Sequence, residues 1–427
     1  MPESQPQMRA ISELADTNPE ALGVGTDPRA HFKYIDLSSV SSGTVAWNSA
    51  PEVTLLTAPS RARRVLRHGD VLFGTVRPNL QSHGFVDWTG SSALVGSTGF
   101  SVIRPKAGVG DPRYLFHCVM SGGIAVQANR DAVGSSYPAL NDSDVRRFQV
   151  FAPPVGEQEA IAQILDTLDA TLRQTEAVIE KLKQVKQGLL HDLLTRGIDA
   201  NGELRPPYRQ APHLYKDSPL GWIPVDWQVE LLDDVAFRGS GHTPSKSVAS
   251  YWNGGVRWVS LADSNRLDQI YIDRTDKEIS DFGIANSSAV KHSAGTVILS
   301  RDAGVGKSAV LASEMAVSQH FMAWHCTDRL ANLYLYFKLQ HMKPAFEAIA
   351  LGSTVKTIGL DYFRKLRVPV PARSEQDTSV EIMLVAESNV RRYESDLGKL
   401  RLLKSGLMDD LLTGRVRVTP LLVPAAP

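Results

Sequence analysis

The chain is written twice, and that repetition limits its architecture more than any other feature of its 427 residues. Gly134–Arg196 and Gly352–Gly414 align without a gap at a shift of 218 residues, the distance from Gly134 to Gly352. Gly134/Gly352, Arg146/Arg364, Val150/Val368, Glu157/Glu375 and Gln158/Gln376 coincide, as do the Asp-Leu-Leu-Thr runs that begin at Asp192 and Asp410. Self-similarity at a fixed shift implies one structural unit used twice. A weaker echo lies upstream. Phe32–Ser39 resembles Val256–Asp263, and His68–Leu72 resembles Ala294–Ile298. Each half therefore reads as a variable globular part followed by a matching helical part.

The helical parts carry the clearest periodicity. Ile161, Leu165, Leu168, Leu172, Thr175, Ile179, Leu182, Lys186, Leu189 and Leu193 follow alternating steps of four and three. The second copy places Ser379, Met383, Ala386, Val390, Tyr393, Leu397, Leu400, Lys404, Leu407 and Leu411 at the same posts. A 3.5-residue period sustained this long predicts a coiled-coil seam, and ~38 residues at helical rise give a rod of roughly 57 Å. The proximal half of the second copy, with Ser379 and Ala386, is poor in large apolar residues. Pro153-Pro154 and Pro369–Pro371 stop the segments before the rods, Ser374 with Asp377 suggests a capping pair, and Gly197 ends the first rod. Lys186 and Lys404 share one seam post: their heads either snorkel to water or fix the register of pairing. Two matching helices in one chain most simply pair antiparallel about a pseudo-twofold axis, with the globular parts at opposite ends.

Those globular parts predict mixed α+β structure. Asp70–Val76, Gly99–Arg104, Val256–Leu261, Thr296–Ser300 and Met322–Cys326 read as strands, and Tyr114–Ser121 and Asn332–Lys343 as helices. The expected divisions are 1–155 and 216–372 for the globular domains and 156–197 and 373–415 for the helices. A linker at 198–215 and a tail at 416–427 complete the chain. With 43% hydrophobic and 22% charged residues, the composition is that of a globular protein. Two cysteines, Cys118 and Cys326, exclude a disulfide framework or a multi-cysteine zinc site. The opening Met1–Ala10 lacks the apolar run of a signal peptide, and no stretch approaches ~18 apolar residues. The expectation is a cytoplasmic protein.

Motifs for covalent chemistry are missing. Gly304–Ser308 (Gly-Val-Gly-Lys-Ser) approaches a phosphate-binding loop, but Arg301 occupies the post of that motif's first glycine. The 11 histidines show no metal-ligand spacing, and no nucleophile elbow is present. Basic and polar loops remain. Arg61, Arg63, Arg64 and Arg67 crowd one segment, where anionic partners would relieve their repulsion. Arg77, Asn79 and Gln81 follow a strand and suit guanine and adenine edges. In the second half, His242, Thr243 and Lys246 lie in one loop and Arg301 and Lys307 in another. Lys+Arg 46 balances Asp+Glu 46, so any nucleic-acid binding must come from local faces rather than from net charge.

At this point the residues resemble a family. Pro153–Gln158 running into the heptads, Lys181–Gly188, and Leu189–Gly197 are similar to the specificity subunits of type I restriction–modification systems. Ser218–Trp227, Gly241–Ser245, Tyr251–Gly255 and Gly134–Asn141 also look like patterns of that family. The resemblance implies a non-catalytic subunit with two target-recognition domains that read a gapped double-stranded DNA sequence. It implies paired helices that act as spacer and as dock for two methyltransferase subunits, with two restriction–translocation subunits as optional partners. S-adenosylmethionine, ATP and Mg2+ would then belong to the partners, with no cofactor or metal on this chain. The alternative is a nucleotide-dependent enzyme that uses Gly304–Ser308, with the helices serving only for dimerisation.

Overall fold

A computed structural model of the protein describes residues 7–23, 25–352 and 356–419. Of the expected C-terminal tail, residues 420–427 lie outside that range. The chain forms two compact units, Met1–Ala177 with Glu394–Pro427, and Val178–Tyr393. Two long helices, Val155–Thr195 and Arg373–Leu411, each contribute one stretch to each unit.

In the first unit, one four-stranded sheet runs in the order Glu52–Thr54, His31–Ile35, Leu94–Ser97, Ala62–Leu66. A second runs Ala15–Thr17, Phe100–Pro105, Val71–Gly74, Gly84–Phe85. Val71–Gly74 is buried along its whole length, which explains its unbroken apolar sequence. Val71 and Phe73 pack among Tyr114, Phe148 and Ile161, whereas Leu72 packs among Ile35, Phe100 and Val102. Successive side chains of a strand point to opposite faces, so this strand separates two cores.

The second unit repeats the plan. Lys277–Ile279, Trp252–Val259, Met315–Val317 and Lys291–His292 form one sheet. Ala236–Ser240, Phe321–Cys326, Val297–Ser300, Ser308–Leu311 and Tyr271–Ile272 form the other. Val297 and Leu299 join the helical core while Ile298 packs with Ala309 and Phe321, the same division as at Val71–Phe73. The weak upstream echoes thus mark equivalent strands. Each predicted strand overlaps an observed one, and the further short strands are too brief for periodicity to reveal. The helix expected over Asn332–Lys343 continues to Ile349 through Pro344, because fully buried Phe346 anchors the turn beyond it. The helix expected over Tyr114–Ser121 is observed as Pro112–Val119, and a second, Gly122–Asp131, follows it. The Ser121 hydroxyl accepts from the Ile124 amide and so caps the start of that second helix.

Within each unit the helical stretches run antiparallel. In the first, Asp169 meets Lys404 at 2.5 Å and Glu176 meets Arg401 at 2.8 Å, so one helix ascends as the other descends. In the second, Lys186 meets Glu387 at 2.8 Å, and Leu193 shares a core with Val380 and Met383. Every seam position in both copies is buried or half-buried. Burial opposes ionisation of Glu387, yet hydrogen bonds from Lys186 and Arg391 hold its carboxyl below the usual range. The helix starts at Arg373, so Ser374 and Asp377 sit inside its first turns and cap nothing; Asp377 accepts from Arg373 at 2.9 Å.

The repeated Glu-Gln motif ties each helix start to its unit. Buried Gln158 accepts from the Asp111 amide at 2.9 Å and donates to the Val109 and Pro153 carbonyls at 3.1 and 2.8 Å. Gln376 does the same with the Ala331 amide, 2.8 Å, and the Arg329 and Pro371 carbonyls, both 2.9 Å. Glu157 accepts from Arg417 Nε and Nη2 at 2.8 and 2.6 Å, and Glu375 pairs with Arg205. Glu375 also accepts from the Ile198 amide at 3.0 Å, and a side chain at Gly197, whose φ is +64°, would strike Glu375 and Trp227. Lys338, its pKa pushed down to about 8 by burial, donates to the Leu194 carbonyl at the helix end.

Candidate nucleic-acid interface

Ala62–Leu66 is an edge strand of its sheet, and its arginines part company by face. Arg61 and Arg63 are exposed and pair with no acid among the described residues. Arg64 is half-buried and bonds Asp142 at 3.0 Å. Arg67 grips Glu20 with two hydrogen bonds, 2.7 and 2.9 Å, and Arg104 joins the same carboxylate at 3.0 Å. Led by the Arg67 hydrogen bond, these contacts hold the Glu20 carboxyl down at about 2. The crowding of arginines is thus relieved in part from within, by acids remote in sequence.

Arg77 adopts a left-handed backbone, φ 49°, just past the buried strand. Its amide donates to the Pro138 carbonyl at 2.7 Å, and its guanidinium lies 4.3 Å from the centre of the Tyr137 ring. The Gly134–Asn141 segment is therefore seated on the Arg77 turn, with Tyr137 and Asn79 exposed and Gln81 half-buried nearby. The second unit has the matching arrangement, in which Asp302 bridges Thr357 and the Ile358 amide donates to the Arg301 carbonyl. Here Arg301 is half-buried beside Asp302, and Lys307 donates to the Ser264 carbonyl and hydroxyl at 2.9 and 3.0 Å.

Gly304–Ser308 occupies a hairpin between Val297–Ser300 and Ser308–Leu311. A phosphate-binding loop presents its amides at the start of a helix, whereas here the lysine and serine enter a strand. The nucleotide-dependent alternative finds no support in this geometry.

A polar cavity of about 660 Å³ opens in the second unit, lined by residues that include Thr243, Lys246, Asn253, Lys277, Gln319 and His320. Thr243 and Lys246 were singled out from the sequence. His242 lies beside the cavity and contributes its backbone, the carbonyl accepting from Trp258 Nε1 at 3.0 Å. Asn253, Lys277, Gln319 and His320 are not among the residues that the sequence marks for DNA. The one signal for Gln319 and His320 is a polar Ser318-Gln319-His320 turn wedged between two apolar strands. Elsewhere, His117, Asp166 and Asp169 bring metal-capable atoms within 4.8 Å of one another. Arg113 and His117 already bond Asp166, and Lys404 pairs with Asp169, so a cation would meet fixed positive charge.

Each unit thus carries two larger sheets with exposed basic and amide side chains on their loops, one module built in duplicate. The family model for the type I restriction modification DNA specificity domain matches residues 42–184 and 224–389, and the chain belongs to that family: it is a DNA sequence-recognition subunit of the type I kind. Among curated relatives, the putative type I restriction enzyme MjaX specificity subunit of Methanocaldococcus jannaschii is 22% identical, over 82% of this chain and 79% of its own. The HindI specificity subunit of Haemophilus influenzae is also 22% identical, over 74% of this chain and 79% of its own. The MjaIX specificity subunit of M. jannaschii is 27% identical over 171 residues, 40% of either chain. In fold, the chain is similar to the HsdS subunit of Thermoanaerobacter tengcongensis, with TM-score 0.51 and 22% identity over 97% of this chain and 99% of that one. It is also similar to a chain from a study of type I R-M assembly and conformational transition, with TM-score 0.59 and 24% identity over 96% and 99%. No helix among the described residues is long and apolar enough to cross a membrane.

Proposed function

We propose that the chain reads a bipartite, gapped DNA target, one half with each globular part, and directs adenine methylation and restriction by partner subunits. The observation that carries this reading is the recurrence of one strand order in both units beneath loops of unrelated sequence. A constant framework with variable loops is what two different half-sites require. The chain itself would do no chemistry. Two methyltransferase subunits would bring S-adenosylmethionine, and up to two restriction–translocation subunits would bring ATP and Mg2+, all in the cytoplasm.

Docking on the helices is supported by exposed apolar residues. Ile164, Leu190 and Leu194, which lie off the seam, pack into the cores of their own units. Val185 and Leu403 instead stand 46% and 51% exposed, 218 residues apart and hence equivalent in the repeat. Equivalent apolar patches on the two copies suit two copies of one partner. The test is a domain exchange. Replacing residues 1–155 with those of a relative should change one methylated half-site and leave the other intact, and a change in both would overturn the modular reading.

A further inference from the structure

We propose that Gln319 is a base-reading side chain of the second unit, presented to the major-groove edge of an adenine and oriented by Thr243 and His320. The inference rests on the reading that this unit contacts DNA.

Gln319 is exposed on the turn that joins Met315–Val317 to Phe321–Cys326. Three backbone bonds clamp that turn: Ser318 to Val259 at 2.8 Å, Phe321 to Ser318 at 3.1 Å, and Arg301 to His320 at 2.9 Å. A side chain on such a base loses little freedom on binding.

Its amide is held in a directional chain. The Thr243 hydroxyl donates to Gln319 Oε1 at 2.5 Å, and Gln319 Nε2 lies 3.4 Å from His320 Nε2. His320 Nδ1 lies 2.8 Å from Asp302 Oδ2. In the tautomer that carries its proton on Nδ1, facing the Asp302 carboxylate, His320 offers a lone pair at Nε2. That lone pair takes a hydrogen from the Gln319 amide nitrogen, and a flipped amide would set oxygen against it. The chain therefore fixes which end of Gln319 donates.

One acceptor site on Oε1 and one hydrogen on Nε2 are left over. Adenine presents the complement, the N6 hydrogen and the N7 lone pair, whereas guanine presents two acceptors and would face the amide oxygen with O6. Exposed Lys246 and Lys277 line the same cavity and make no ion pair among the described residues, which suits them to flanking phosphates.

The full chain, assembled with its methyltransferase subunits, is given a pool of randomised duplexes, and the selected sequence is then remade with 7-deazaadenine at each adenine in turn. The expected result is that one substitution in the second half-site weakens wild-type binding by about 10-fold or more. Gln319→Ala should lose the same factor on the unmodified duplex and show no added loss at that position. Thr243→Val should relax preference there, while Thr243→Ser keeps it. If wild type and Gln319→Ala respond alike to every 7-deazaadenine, the proposal is overturned while the DNA-reading function stands. If the wild-type assembly selects no sequence at all, the underlying reading fails, and the proposal with it.

Discussion

Lys186 donates to Glu387 at 2.8 Å between two antiparallel helical stretches, and the repeat places the same ion pair at Lys404 and Asp169. A seam lysine costs hydrophobic contact, and its partner restores the balance only in one register. Removing the acid alone, as in Glu387→Gln, leaves Lys186 half-buried without its partner and should destabilise the second unit by about 1–2 kcal/mol, between the values for surface and buried pairs. The double variant Lys186→Met/Glu387→Met should recover most of that loss. Urea midpoints of wild type, Glu387→Gln and the double variant measure it.

The buried amides of the repeated motif should matter more. Gln376→Ala strands the Ala331 amide and two carbonyls, and Gln158→Ala does the same at Asp111, each at about 2–4 kcal/mol. Thermal unfolding of either variant should show the loss. A melting curve unchanged from wild type would contradict the account of the Glu-Gln motif.

Acid should loosen the first unit. The Glu20 carboxyl is held at about 2, below its ordinary value of 4.5, so its contribution is present above about pH 4.5 and lost as pH falls toward 2. Urea midpoints between pH 6 and 3 should fall less steeply in Glu20→Gln than in wild type.

Salt titrations on DNA should separate the arginines. Arg63→Ala, which removes an exposed cation, should weaken binding to cognate and scrambled duplexes alike and lower the salt slope by roughly one unit per phosphate contact. Arg77→Ala should instead cost about 1–3 kcal/mol on the cognate duplex and relax preference at one position. Arg67, committed to Glu20, serves as the contrast: Arg67→Ala should shift stability more than salt slope.

Val185→Glu and Leu403→Glu should each halve the number of methyltransferase subunits recovered on co-purification, and the double variant should abolish recovery. Unequal effects would show that the two copies of the helix do not present the same dock.

The duplication, the α+β class and the long helices are legible in residue order alone, because a 218-residue shift and a 3.5-residue period are properties of that order. The same order marked Glu157, Gln158, Glu375 and Gln376 as repeated, though not what they bond. Tertiary structure decided which charges are spent inside the protein. Arg64 and Arg63 are neighbours in the chain, yet only Arg64 meets an acid, Asp142, brought from 78 residues away. Gln319 gained its meaning the same way, through Thr243 and Asp302 on other segments. Periodicity records which face of an element is apolar, whereas a polar site depends on side chains that converge from distant strands, and no local pattern encodes that convergence.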